Sequence, residues 1–188
     1  MKRWKKRLIK WALILLFIVS VLLLIDYIRI GKPINEYNGV PIYYNGLIFQ
    51  ASKKPHRSEK GIYYGIKWES TEFARRYYYE KLKYYIPAKY HYAITWVGYN
   101  VKAGEKNPIG LRQYYNGGTI KPQKDDIIVF KNKKYGHCAI IAEVYDNDIV
   151  ILYQQNVWGW SKEKCKLKKE NNRYYIESYL TPIAWMRK

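Results

Sequence analysis

The sequence predicts an α+β domain carried behind one long apolar helix. Three features of the chain predict it. An uncharged run, Trp11 to Ile25, stands near the N-terminus. One amphipathic stretch, Ser70 to Tyr85, leads the remainder. From Asp126 the pattern changes to short β-rich pieces parted by Asn, Asp and Gly. A helix-led half followed by a strand half is the order of α+β folds rather than of alternating α/β ones. At 188 residues there is room for one domain and a short appendage. The expected division is 1–30 and 31–188.

The appendage reads as a membrane anchor. A spanning helix needs about 20 apolar residues. Leu8 to Ile30 supplies them if Lys10, Asp26 and Arg29 sit at or near the interfaces. Trp4, Trp11 and Tyr27 suit the interfacial belt. Lys2, Arg3, Lys5, Lys6, Arg7 and Lys10 precede the run, so the positive-inside rule places the N-terminus in the cytoplasm and the domain outside. No small-x-small cleavage site follows the run, and no Cys ends it to accept lipid. An uncleaved anchor is therefore expected rather than a signal peptide.

Gly31 to Pro33 breaks that helix. Gly39 to Leu47 reads as a strand or hairpin, and Gln50 to Gly61 as a surface loop. In Ser70 to Tyr85, Phe73, Ala74, Tyr77, Tyr78, Leu82 and Tyr85 recur at helical spacing, and Pro87 stops the helix. A short helix is expected near Ala93 to Trp96, then a long loop to Lys124. Strands are expected at Ile127–Lys131, Cys138–Tyr145, Ile149–Gln154 and Arg173–Ser178, with a hairpin turn at Asp146-Asn147-Asp148.

The formal net charge of +19 predicts attraction to polyanions and says little about fold. Seven Trp and 22 Tyr argue against disorder. The basic surface includes Lys53, Lys54, Arg57, Lys131, Lys133, Lys134, Lys162, Lys164, Lys166, Lys168 and Lys169. It either faces solvent or docks on anionic lipid headgroups and cell-surface polymers. Nucleic acid fits the charge but not the address, and no recognition motif is present. Cys138 and Cys165 show neither CxxC nor metal-ligand spacing, so no metal and no cofactor is expected. A disulfide between them is open, but two separate small hydrophobes on strands is the plainer reading.

Two segments stand apart chemically. In Trp68-Glu69-Ser70-Thr71-Glu72-Phe73 a small polar residue opens an amphipathic helix. In Tyr135-Gly136-His137-Cys138-Ala139 a His opens an apolar strand, and Gln154-Gln155-Asn156 closes the next one. His137 and Gln154 to Asn156 are nearly equidistant from the intervening turn, so antiparallel pairing sets them side by side. A helix start facing a His that an amide orients has the parts of a nucleophile, a base and an orienting group.

These residues resemble the CHAP family, the cysteine- and histidine-dependent amidohydrolases and peptidases. The family pattern is a Tyr/Trp-Gln-Cys-x-Glu-Phe helix start, a Gly-His-x-Ala strand and a Glu/Gln-Gln-Asn strand end. Asp126 looks like its Gly-Asp step, with Asp125 in the place of Gly. Glu36-Tyr37-Asn38-Gly39-Val40 is similar to a segment of a membrane-anchored subgroup. The resemblance implies a papain-like α+β fold of the NlpC/P60-CHAP type. It implies amide hydrolysis in peptidoglycan peptides or in glutathionylspermidine-type amides. The implied site is Ser70, His137, Gln154 and Asn156.

The chain departs from the pattern at the nucleophile, where Ser70 stands for Cys, with Glu69 before it for Gln. A Cys beside a His and a helix N-terminus ionises, its pKa falling from about 8.5 to roughly 3.5 to 7.5. A Ser hydroxyl stays neutral and needs a general base during attack, usually with a carboxylate to stabilise the imidazolium. Gln154 and Asn156 are neutral. Cys138 and Cys165 lie in the strand half, far from the helix start, and are not expected to substitute. Ser70 is thus the nucleophile of a weak or altered hydrolase, a substitution that silences a Cys, or a helix N-cap in an inactive site, worth about 0.5 to 2 kcal/mol over Ala. An inactive module that binds wall peptides or regulates a partner is the alternative function. His56 is expected in a solvated loop and His91 in a packing role. Glu72 and Arg76 are expected as an i, i+4 ion pair, and Tyr63 and Tyr64 in the core.

Overall fold

The computed structural model describes residues 3–47, 52–132 and 134–188. Lys2, Lys133, Gln50 and Ala51, which the sequence assigns to the basic head, the basic surface and a loop, lie outside the described residues. The apolar run forms one helix, α1 (Arg3–Arg29), long and apolar enough to cross a membrane; a signal sequence has the same character. Asp26 is its buried residue. The Asp26 carboxylate accepts the Tyr44 hydroxyl and the Leu47 N–H, and Arg29 lies 4.8 Å over the Tyr44 ring. The helix end is therefore bonded to the following domain rather than tethered by slack chain.

A hairpin follows, β1 (Pro33–Tyr37) with β2 (Val40–Tyr43). Its turn residues Asn38 and Gly39 both have positive φ, as a two-residue turn of this kind requires. Next comes a small ribbon, β3 (Pro55–Arg57) with β4 (Tyr63–Ile66), where the sequence suggested loop. The amphipathic stretch forms α2 (Ser70–Leu82). It stops before the expected Tyr85, because Lys83 adopts a left-handed φ of 52° and both Lys83 and Tyr84 donate N–H to Tyr78 O. A 3₁₀ turn occupies Ala93–Trp96, as expected.

The rest is one antiparallel, curled seven-stranded sheet of order β10-β9-β8-β7-β6-β11-β5. Its strands are β5 (Arg112–Tyr115), β6 (Ile127–Lys131), β7 (His137–Val144), β8 (Ile149–Gln154), β9 (Lys162–Glu170), β10 (Arg173–Glu177) and β11 (Thr181–Arg187). The mixed helix-and-sheet architecture matches the α+β expectation. The sequence reading missed β5, β9 and β11. In β9 only Cys165 and Leu167 are buried while the lysines face out, so the strand looked like a charge run.

Pleating splits the core into two layers. Ile127, Val129, Cys138, Ile140 and Ala142 pack with Phe73, Ala74, Tyr77 and Tyr78 of α2. Ile128, Phe130, Ala139, Ile141, Val150, Leu152, Cys165 and Trp185 fill the other face. Asp125, at a φ of 68° where glycine is easiest, anchors the helix to the sheet. Its carboxylate accepts the Tyr77 hydroxyl at 2.5 Å, and its carbonyl accepts Tyr78 at 2.6 Å. Asp126 next to it takes both arms of Arg187 at 2.8 Å.

Candidate active site

The start of α2 is built on a constrained approach. Trp68 sits at φ 137°, a conformation seldom open to a bulky residue. Glu69 then takes the extended cap conformation, φ −74° and ψ 156°. Glu69, not Ser70, is thus the N-cap, and it makes no side-chain cap bond. Ser70 is the first helical residue, which corrects its reading as a cap. Its hydroxyl is buried against the Cys138 thiol instead. The same contact corrects the expectation for Cys138, which lies beside the helix start; Cys165 stays in the other layer. Burial pushes the Cys138 thiol up to about 12, against the Ser70 bond and the Arg75 charge, so it is no thiolate. Both cysteines are free.

Gly136 lets His137 open β7. It has φ 69°, and a Cβ there would meet the Ile94 nitrogen at 2.8 Å. His137 is 3% exposed. Its Nε2 lies 3.1 Å from Gln154 Oε1. The Gln154 amide nitrogen in turn donates to Glu163 Oε2 at 3.3 Å. Glu163 accepts on that side, so the amide's oxygen faces His137 and Nε2 carries the proton. That leaves Nδ1 with its lone pair. Burial lowers the His137 pKa from 6.5 to about 4, with the Gln154 bond and the Glu163 charge opposing it.

His137 and Ser70 are brought to one end of the sheet, but no hydrogen bond joins them. Ser70 touches Cys138, whose row faces α2. His137 pairs across the sheet with Phe130, its ring 5.9 Å away, in the other row. Asn156 does not orient His137. It leaves the strand at φ 65° and donates to Glu69 Oε2 at 2.9 Å. Burial, outweighing that bond, raises the Glu69 pKa.

Behind Ser70 lies a buried carboxylate that sequence reading took for a plain helix ion pair. Glu72 is fully buried and accepts Arg76 Nε at 2.6 Å, His56 Nδ1 at 2.8 Å and Gln155 Nε2 at 2.7 Å. Burial alone would raise its pKa; His56 and Arg76 outweigh burial and hold it below the usual range. His56 is therefore a partly buried partner of Glu72, not a solvated loop residue. Gln155 also donates to Glu69 O at 3.1 Å and accepts the Tyr43 N–H at 2.8 Å. It holds the β1–β2 hairpin, the start of α2 and the end of β8 in one piece, a role sequence reading missed. His91 is exposed rather than packed, and its carbonyl accepts Thr71 Oγ1. Tyr64 is buried, as expected. Among the described residues no group of His, Cys, Asp and Glu is placed to hold a metal ion.

The CHAP domain model matches residues 61–156, half of the chain. The chain belongs to the CHAP family. The match takes in the start of α2, His137 and the end of β8. It leaves α1, the first hairpin and β9 to β11 outside. CHAP membership brings amidase- and peptidase-like, cell-wall-related function, with a peptide or peptidoglycan amide as the class of substrate. No curated protein matches the chain.

Proposed function

We propose that this CHAP domain, on a papain-like frame, is a slow amidohydrolase of cell-wall peptides in which Ser70 replaces the thiolate nucleophile. Glutathionylspermidine-type amides are the second substrate class to try. The observation that carries the reading is the fixed His137 tautomer. Nε2–H is spent on Gln154, which leaves the Nδ1 lone pair to act as the base. In the forward step Ser70 Oγ turns from Cys138 to His137 and gives up its proton to Nδ1 as it attacks the amide carbon. His137 passes that proton to the leaving amine. Water then hydrolyses the acyl-Ser70 ester. The N–H groups that open a helix suit an oxyanion, and those of α2 begin at Ser70.

Slowness follows from two features. The hydroxyl cannot store its charge as a resting thiolate. It also lies beside Cys138, on the strand row that faces α2, with no hydrogen bond to His137. The second feature equally favours an alternative, a domain that binds wall peptides without cutting them. The anchor reading complements the site: α1 spans the membrane, the N-terminus is cytoplasmic, and the domain faces the wall from outside. The basic surface then meets lipid headgroups or anionic wall polymers.

The deciding experiment incubates the detergent-solubilised chain with muropeptides. Wild type should cleave slowly, Ser70→Cys faster, and His137→Ala not at all. Muropeptides bound but left intact by both wild type and Ser70→Cys would favour the binding module.

A further inference from the structure

Ser–His chemistry calls for a carboxylate to stabilise the imidazolium, and the residue in direct contact with His137 is a neutral amide. We propose that Glu163 is the carboxylate of this site, a positioning residue acting on His137 through the Gln154 amide. It rests on the hydrolase reading and deepens it. Glu163 lies in β9, beyond the residues that the family model matches.

The geometry is a chain of three groups on adjacent strands. Leu152 of β8 is the cross-strand partner of Glu163, so Gln154 is its diagonal neighbour, a spacing long side chains bridge. Gln154 is 1% exposed and has both ends of its amide engaged. Glu163 is held from the far side. Its Oε1 accepts Ser178 Oγ at 2.7 Å, the Tyr179 N–H at 3.1 Å and Cys165 Sγ at 3.3 Å. That leaves Oε2 aimed at Gln154. An amide pulled by a carboxylate at its nitrogen is a stronger acceptor at its oxygen, because hydrogen bonds in series polarise one another. The negative charge also acts directly on the ring through a poorly screening interior.

Among the described residues no other charge is placed for this role. From β6 the ring meets Phe130, and its chain neighbour on β7 is the Cys138 thiol. From α2, Glu69 and Arg75 act on Cys138 with opposite signs. From the 3₁₀ turn, Gly136 meets the Ile94 backbone. Glu163 is the charge that acts on His137 itself, and it favours the imidazolium.

The test needs no substrate. In the full-length Ser70→Cys chain, the rate of iodoacetamide alkylation at residue 70 is followed against pH by peptide mass. Cys138 and Cys165 are buried with raised pKa values and compete little. Adding Glu163→Gln keeps the shape and an acceptor but removes the charge. It should move the alkylation midpoint up by about one pH unit, a tenfold loss of rate below the midpoint. Adding Gln154→Glu to that double variant, which moves the carboxylate onto His137, should restore the midpoint. Superimposed profiles with and without Glu163→Gln would overturn the proposal. An ordinary thiol midpoint in Ser70→Cys, unmoved by His137→Ala, would instead sink the pairing of residue 70 with His137 and so the hydrolase reading. Glu163 is then judged on otherwise wild-type chain by ¹⁵N-histidine NMR. Glu163→Gln must lower the His137 titration while the His56 and His91 signals stay put, and an unchanged His137 titration overturns the proposal.

Discussion

At the scale of single residues, two buried groups set how the domain responds to change. Glu72 holds three donors in a fully buried position. Glu72→Gln leaves Arg76 as a buried cation without a counter-charge. It should cost about 3 to 5 kcal/mol in urea unfolding. His137 gives a pH dependence whose sign is fixed. Its folded pKa of about 4 lies below the unfolded 6.5, so between those values the unfolded chain binds a proton that the folded chain refuses. Its contribution is fully present above pH 6.5 and is lost as pH falls toward 4, by about 3 kcal/mol in all. Glu72 adds a loss in the same direction, since its folded pKa is depressed too. Unfolding free energy measured from pH 7 to pH 4 should therefore fall, and His137→Gln should flatten the upper part of that fall. Of the site's residues, Ser70, His137 and Gln154 were legible as types at a spacing. The partners of Asn156 and Gln155 were not, because a φ of 65° at Asn156 ends the strand's alternation and swaps which side chain points where.

At the scale of elements, Gly136 tests how tightly the strand end that carries His137 is fitted. Gly136→Ala combines a left-handed φ with a Cβ 2.8 Å from the Ile94 backbone. It should cost about 1 to 3 kcal/mol by thermal unfolding and displace His137 without touching its side chain. The elements that sequence reading found were those with a clean period or a clear turn. β6 and β8 kept their bounds because Asp, Asn and Gln punctuate apolar runs. β9 was hidden because one face of it is lysine, and β5 because it is a short strand, Arg112 to Tyr115, inside a Gly-rich stretch. β11 carries Pro182 at a register shift, a residue that argues against a strand unless a bulge absorbs it. Glu163 stayed out of view for the same reason as β9: a Glu among lysines reads as surface until the strand turns its alternate face inward.

At the scale of the whole molecule, the chain carries a formal net charge of +19 and joins an apolar helix, bonded through Asp26 to Tyr44 and Leu47, to a CHAP domain that follows. A reporter fused after Lys188 should be found outside the cytoplasm, and the full-length chain should stay with membranes through a high-salt wash. A shortened chain released to the medium would mean that α1 is a cleaved signal. The family match takes in the Ser at the helix start, the His at the strand start and the amide at the next strand's end. Acylation of that Ser is the central claim. The direct measurement is intact and peptide mass spectrometry on wild type, acid-quenched during reaction with an activated ester of an N-acetylated dipeptide. An acyl adduct on the peptide bearing Ser70, absent from His137→Ala, is the predicted result. Product release with no adduct at residue 70, or an adduct that persists in His137→Ala, would contradict it.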